Sequence, residues 1–176
     1  MTIGFAHLRG LSGSAMFLLT VLVLAGCDAP SDAPSDAGAA QATATAAQDI
    51  HPESGLRIIG LTVQAKGASH RFRVEVAATG EEQARGLMFR AQLAPDEGMI
   101  FPMNPPRPAA FWMRNTVIPL DMIFIAPDHT ILNIAANTTP YDETPHPSAG
   151  DVMAVLELAG GRAQELGIVP GDTVSW

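Results

Sequence analysis

The chain has 176 residues, with 10 Lys and Arg against 18 Asp and Glu, and a formal net charge of −8 at neutral pH. This acidic balance argues against binding to nucleic acid, which depends on clustered basic side chains, and against lying flat on an anionic bilayer. With Cys27 as its single cysteine, the chain cannot form an internal disulfide, so its core must stabilise it unaided.

The first 26 residues have the pattern of a bacterial lipoprotein signal peptide. Arg9 supplies a positive N-terminal region, and residues 15–25 form an apolar run that is shorter than the roughly 20 residues of a membrane span. Leu24-Ala25-Gly26-Cys27 matches the recognition and cleavage signature, which would make Cys27 the acylated first residue. Asp28 resembles an inner-membrane retention signal of enteric bacteria. A signal anchor with an incidental cysteine is the alternative.

Cleavage would remove Arg9 and leave 9 basic and 18 acidic residues, a net charge of 9 − 18 = −9. The signal-peptide pattern and Cys27 together predict an exported protein, attached by lipid to the periplasmic face of a bacterial membrane. Residues 27–55 are predicted to be a disordered tether, rich in Ala, Pro, Ser and Asp, with Ala-Pro-Ser-Asp repeated at 29–32 and 33–36. A flexible chain of the length of residues 28–51 spans roughly 25–30 Å root-mean-square. A helix at residues 39–47 is the alternative, although it lacks an apolar stripe.

Residues 56–176 are predicted to form one globular domain that begins with two strands, at 58–64 and 71–77. In the second strand, apolar Phe72, Val74 and Val76 alternate with charged residues that include Glu75, so one face should be exposed. Thr79 and Glu82 then form a capping box for a helix whose apolar face carries Ala84, Leu87, Met88 and Ala91.

The rest of the domain is mainly β in pattern. Strands are predicted at residues 99–103, 110–113, 120–126, 130–137, 152–158 and 173–176, with a short helix at 161–166 that Gly167 should end. The fold class is therefore α+β, mainly β: a compact antiparallel sheet or small barrel with two short helices. The connections look too short for a parallel βαβ arrangement.

Two acids interrupt apolar strands. Asp121 shares one strand face with Ile123 and Ile125, and Glu157 lies within residues 152–158. A buried carboxylate needs a partner, so each should contact backbone amides or an arginine, with Arg85, Arg90 and Arg114 as candidates. The structural interpretation is that these contacts only stabilise the fold. The functional interpretation is a polar pocket beside Trp112, formed by Arg85, Arg114, Asn115, Asp121 and Glu157.

Familiar catalytic and cofactor patterns are missing from the sequence. There is no glycine-rich phosphate loop and no Gly-x-Ser-x-Gly elbow, and the histidines lack metal-ligand spacing, so we expect neither a cofactor nor a metal. Ser148 near His146 is better explained by a Pro-rich surface loop at 138–150. The methionines of the domain could suit Cu(I), but their alternation with Leu, Ile and Phe favours core packing.

Five motifs of the domain are distinctive when taken together: Arg85-Gly86-Leu87-Met88-Phe89-Arg90, Asp96-Glu97-Gly98-Met99-Ile100-Phe101, Phe111-Trp112-Met113-Arg114-Asn115-Thr116, Ile118-Pro119-Leu120-Asp121 and Val155-Leu156-Glu157-Leu158-Ala159-Gly160. They resemble one bacterial and archaeal family, domain-of-unknown-function family 192, and the resemblance covers essentially the whole domain. The family commonly has Lys where Arg114 stands, and Tyr where His146 stands. The resemblance implies a small, mainly-β fold that is often exported, and it implies no activity.

Two functions remain open from the sequence. The first is a membrane-tethered accessory module that binds a small ligand or a periplasmic protein through Trp112, Arg114 and Asn115. The second is a hydrolase or lyase in which Asp121 and Glu157 act as an acid/base pair on a small polar or carbohydrate substrate. The second function requires both carboxyl groups to reach one solvent-connected cleft.

Overall fold

The computed structural model describes residues 49–176. The predicted signal peptide, Cys27, the alternative helix at 39–47 and most of the predicted tether lie outside the described residues. The described part contains nine strands and two helices. In chain order they are β1 (Ile58–Ala65), β2 (Ala68–Val76), α1 (Gly80–Arg85), β3 (Glu97–Arg107), β4 (Ala110–Phe111), β5 (Leu120–Ile125), β6 (Ile131–Thr138), β7 (His146–Pro147), β8 (Val152–Ala159), α2 (Arg162–Leu166) and β9 (Thr173–Ser175).

Seven of the strands form one curled sheet in the order β6-β5-β8-β3-β2-β1-β9, and β4 pairs with β7 in a second, small sheet. An isolated bridge between Thr130 and Thr173 brings the two ends of the large sheet towards each other, so the sheet is a half-barrel. The predicted fold class, mainly β with two short helices, is therefore confirmed.

One strand pair departs from the antiparallel pattern. β2 and β3 are parallel, with Arg73 opposite Glu97 and Val76 opposite Ile100. The expectation that every connection is too short for a parallel pair was wrong here. Residues 77–96, which include α1, are enough to carry the chain back across the sheet.

The central strands of the sheet are buried on both faces. All six residues of β5 are buried, and β5 lies between β6 and β8, as the two-sided apolar pattern predicted. One face packs in a core with Ile100, Ile123 and Leu156, and the other in a core with Met99, Met122 and Val155. Side chains opposite each other in a strand pair share a face, so strand register decides which core each residue enters.

The first helix begins as predicted but is shorter. Thr79 Oγ1 accepts a hydrogen bond from Glu82 N at 3.2 Å, and Glu82 Oε2 accepts one from Thr79 N at 2.7 Å, which confirms the capping box. The helix ends at Arg85, because Gly86 adopts a φ of +46° that residues with a side chain rarely take. Leu87, Met88 and Ala91 therefore lie beyond the helix, and the predicted helical face does not extend to them.

The segment 49–56 packs against the domain, although residues 49–55 belong to the predicted tether. Ile50 forms a bridge with Arg57, and Asp49 contacts Arg73 at 2.6 Å. Ser54 Oγ donates a hydrogen bond to Glu75, whose carboxylate also accepts from Arg90 Nη2 at 2.9 Å. This cover leaves Glu75 3% exposed, so the predicted exposed face of β2 is in fact closed at this residue.

Candidate functional site

A cavity of about 670 Å³ lies between α1, the far end of β3 and the loop 112–116. This volume is within the range of small-molecule sites, roughly 300–1,000 Å³. Apolar side chains make much of its wall, among them Met88, Met103 and Phe111. Phe111 is held by edge-to-face contacts with Phe101 and Phe124, at centroid distances of 5.0 and 6.3 Å.

Glu157 provides the buried polar group of this cavity. Its Cα is opposite Met99 of β3 on one side and Met122 of β5 on the other, and the residue is 4% exposed. Within residues 49–176 its carboxyl has no hydrogen-bond donor within 3.5 Å and no cation within 4.0 Å. Because burial penalises the charged form, it raises the pKa of Glu157 to about 8. The expectation that an arginine or an amide would pair with Glu157 was wrong.

Three arginines with exposed side chains line the same cavity: Arg85 from α1, Arg107 from β3 and Arg114 from the loop. In the described part of the chain, none of the three has a carboxylate within 4.0 Å. By contrast, Arg90 and Arg73 are paired with Glu75 and Asp49. Among residues 49–176, the guanidinium groups around the cavity are therefore not paired with a carboxylate.

The loop 112–116 places Trp112, Arg114 and Asn115 at the cavity. Trp112 is 47% exposed, and the guanidinium carbon of Arg114 lies 5.8 Å from its ring centroid, a cation–π contact. Met113 between them is fully buried. Asn115 has a φ of +55°, a region in which asparagine is enriched, and its Nδ2 lies 3.8 Å from the sulfur of Met88.

Asp121 lies elsewhere, which corrects the predicted pocket. Its Cα is opposite Leu158, whereas Glu157 is opposite Met122, so the two carboxyl groups point to opposite faces of the sheet. Asp121 Oδ1 accepts hydrogen bonds from the backbone amides of Asn137 at 2.7 Å and Gly161 at 2.9 Å. Oδ2 accepts from Ala163 N at 2.7 Å. Asp121 thus stabilises the start of α2 and has no access to the cavity.

The predicted site residues therefore separate into two groups. Arg85, Trp112, Arg114, Asn115 and Glu157 all line one cavity, and Asp121 does not. Arg107 was not among the predicted site residues. The sequence marks it only as a single charged residue within the Pro-rich run 105–108. The pairing of Glu75 with Arg90 was also not predicted, because the segment that covers Glu75 belongs to the predicted tether.

The described residues show neither a metal centre nor a membrane helix. Among residues 49–176, no three His, Cys, Asp or Glu side chains are placed to hold a metal ion. No helix in that range is long and apolar enough to cross a membrane.

Residues 61–176 match the profile of domain-of-unknown-function family 192, described as "Uncharacterized ACR", and the chain belongs to this family. A protein of unknown function from Novosphingobium aromaticivorans has a similar structure, with 58% identity and a TM-score of 0.72 over 75% of this chain and 94% of that one. A proposed transcription regulator from Sinorhizobium meliloti is 40% identical, with a TM-score of 0.67 over 68% of this chain and 94% of that one. A search of curated proteins gave no match.

Proposed function

We propose that this protein is a lipid-anchored periplasmic module that binds a small organic anion in the cavity beside Trp112. The observation that carries the proposal is the arrangement of charges. Three arginines without carboxylate partners in the described part of the chain surround a cavity whose buried carboxyl, Glu157, is also unpaired. The Arg114 guanidinium offers several donors in a fixed plane, a geometry that suits carboxylate and phosphate groups.

The overall charge of the chain strengthens the argument for an anion. The sequence from Cys27 onwards has 9 basic and 18 acidic residues, so most of its surface repels anions. Three of those 9 basic side chains line one cavity, and among residues 49–176 the rest of its lining includes no aspartate and no second glutamate. A local positive potential in an acidic protein draws an anion to this cavity in preference to the rest of the surface.

The walls indicate that the ligand is organic. Met88, Met103 and Phe111 offer apolar contact, and Trp112 offers an exposed ring beside the charged group of Arg114. An inorganic ion would leave these surfaces unused. An organic anion with a carbon skeleton of several atoms would cover them while its charged end contacts the arginines.

The anchor and compartment are proposed from the sequence. Leu24-Ala25-Gly26-Cys27 supports acylation at Cys27, and the composition of residues 28–48 supports a flexible connection to the membrane. Because Asp49 and Ile50 contact the domain, we take the tether to end before residue 49. The module would then sample solution close to the membrane surface without lying on it.

The alternative function, a hydrolase or lyase, requires Asp121 and Glu157 to reach one cleft. Asp121 and Glu157 point to opposite faces of the sheet, and Asp121 already accepts three amide hydrogen bonds. The two acids therefore do not reach one cleft, so they cannot act together as an acid/base pair on one substrate.

Titration calorimetry on the full chain, purified in detergent, tests binding. D-Glucuronate and glycerol 3-phosphate are the probes, with glucose and glycerol as their neutral counterparts. We expect the anions alone to bind, and Arg107→Ala and Arg114→Ala to weaken binding by about tenfold or more each. Arg71→Ala, on the exposed face of β2, is the matched control and should not change affinity. Equal binding of neutral and anionic probes, or equal loss in the control, would contradict the proposal.

A further inference from the structure

We propose that Glu157 serves this site as a neutral carboxylic acid that donates a hydrogen bond to an oxygen of the ligand. The ligand class is thereby narrowed to organic anions that carry a second oxygen acceptor, such as a hydroxyl, ether or carbonyl group, away from the charged end. This inference rests on the proposed function, and Glu157 is the acid that lines the cavity among residues 49–176.

Three acidic side chains of the domain are buried: Glu75, Asp121 and Glu157. Glu75 is paired with Arg90, and Asp121 accepts hydrogen bonds from three amides, so both stabilise the fold. Glu157 has no such partner within residues 49–176, although it lies among Val155, Leu156 and Leu158 in the middle of the sheet. An unpartnered polar group in this place lowers stability relative to an apolar one. A ligand in the cavity in front of Glu157 can form the hydrogen bond that this carboxyl lacks within residues 49–176.

The position of Glu157 is fixed by the strands around it. β8 is paired on both sides, with Met99 of β3 and Met122 of β5 opposite Glu157. Both neighbouring side chains are fully buried methionines, so the carboxyl cannot turn away from the cavity towards a polar group in the core. A ligand that enters the cavity therefore meets a donor or acceptor that is already in place.

The protonation state follows from these surroundings. The other charged groups that line the cavity are Arg85 from α1, Arg107 from β3 and Arg114 from the loop, and none lies within 4.0 Å of the Glu157 carboxyl in the described structure. Asp121 of β5 is on the opposite face of the sheet. Burial therefore dominates and raises the pKa of Glu157 to about 8. At neutral pH the group carries a proton that it can donate, and it does not repel an anion.

The proposal predicts a definite pH dependence of binding. The arginines remain charged throughout the accessible range, so the affinity for an anion that is fully ionised should change only as Glu157 titrates. Affinity should be constant well below pH 8 and should fall by about tenfold per pH unit above it, because the ligand then binds only the protonated form.

Calorimetry with D-glucuronate between pH 6 and pH 10, on the full chain and two variants, tests this. Glu157→Gln keeps a donor of similar shape and cannot ionise, so it should bind within a few-fold of the wild type at pH 7 and lose the pH dependence. Glu157→Leu keeps the bulk without the donor and should bind more weakly by about tenfold at pH 7. Thermal melts confirm that each variant is folded before binding is compared.

A ligand-free measurement separates the protonation state from binding. In ¹³C NMR of glutamate-labelled protein, the side-chain resonance missing from Glu157→Gln should titrate near pH 8 and shift to higher pH with D-glucuronate bound. Titration near the ordinary pKa of glutamate, or pH-independent binding by the wild type, would overturn the role of Glu157 and leave the proposed function standing. If the wild type binds D-glucuronate at no pH, the proposed function fails and the inference fails with it.

Discussion

Replacing Asp121 by alanine should destabilise the domain by about 3–5 kcal/mol, a loss far above the usual surface effect. The carboxylate is fully buried and accepts from the amides of Asn137, Gly161 and Ala163 at 2.7, 2.9 and 2.7 Å. Alanine leaves three donors without an acceptor, and each unsatisfied buried donor costs about 1–3 kcal/mol. We take the lower part of the summed range, because local rearrangement can readmit water to the partly exposed Gly161 and to Asn137.

Asp121→Asn distinguishes the hydrogen bonds from the packing. Its single oxygen can replace Oδ1, which accepts from Asn137 and Gly161, but its amide nitrogen then faces the N–H of Ala163. Asparagine should therefore cost about 1–3 kcal/mol, less than alanine. Chemical denaturation of the full chain measures each loss, with Asp128→Ala as an exposed control that removes bonds only to Thr130. If Asp121→Ala lost under 0.5 kcal/mol, as is typical of surface sites, the capping role would be refuted.

Three further predictions concern the buried acid, the aromatic contacts and the anchor. Burial raises the pKa of Glu157 to about 8 from its ordinary value of 4.5. The contribution of Glu157 to the free energy of unfolding should therefore be greatest below pH 4.5 and fall by roughly 1.4 kcal/mol per pH unit up to about pH 8. Denaturation of Glu157→Gln at several pH values should lack this contribution, and identical pH profiles would contradict the shift. Phe111→Ala should lower the free energy of unfolding by about 3 kcal/mol in the same assay. This is the low end for phenylalanine, because the residue is only partly buried. Phe111→Leu should lower it clearly less. Cys27→Ser should abolish acylation and leave the precursor uncleaved, and mass spectrometry showing cleavage at another residue, or an unmodified Cys27 in the wild type, would rule out the anchor.

Local patterns predicted the parts of the fold that local physics determines. The capping box of Thr79 and Glu82 needs only four consecutive residues, and it was found as predicted. The burial of β5 followed from apolar residues at every position except Asp121. The end of α1 was missed, because its apolar spacing continues through Leu87 and Met88 while the backbone at Gly86 turns away.

Features that depend on distant segments could not be predicted in this way. Alternation in β2 predicted an exposed Glu75, but Ser54 and Arg90 cover it from other parts of the chain. Strand alternation placed Asp121 with Ile123 correctly, yet it could not say which element would cover that face. Whether Asp121 and Glu157 share a cleft depends on the register of β5 against β8, which neither strand encodes by itself.

The cavity is built on a fixed sheet and on a loop that is held in an unfavourable conformation. Phe89, Asn115 and Tyr141 all have a φ between +55° and +63°, which costs about 1–3 kcal/mol each for residues other than glycine. Two backbone bonds maintain this arrangement: Phe89 N donates to Asn115 O at 2.9 Å, and Tyr141 N donates to Thr116 O at 3.1 Å. The two bonds tie the loop 112–116 to residues 89 and 141, while pairing on both sides of β8 fixes Glu157. A ligand that contacts the Glu157 carboxyl therefore meets a group that the sheet already holds in place, so little ordering at this point opposes binding.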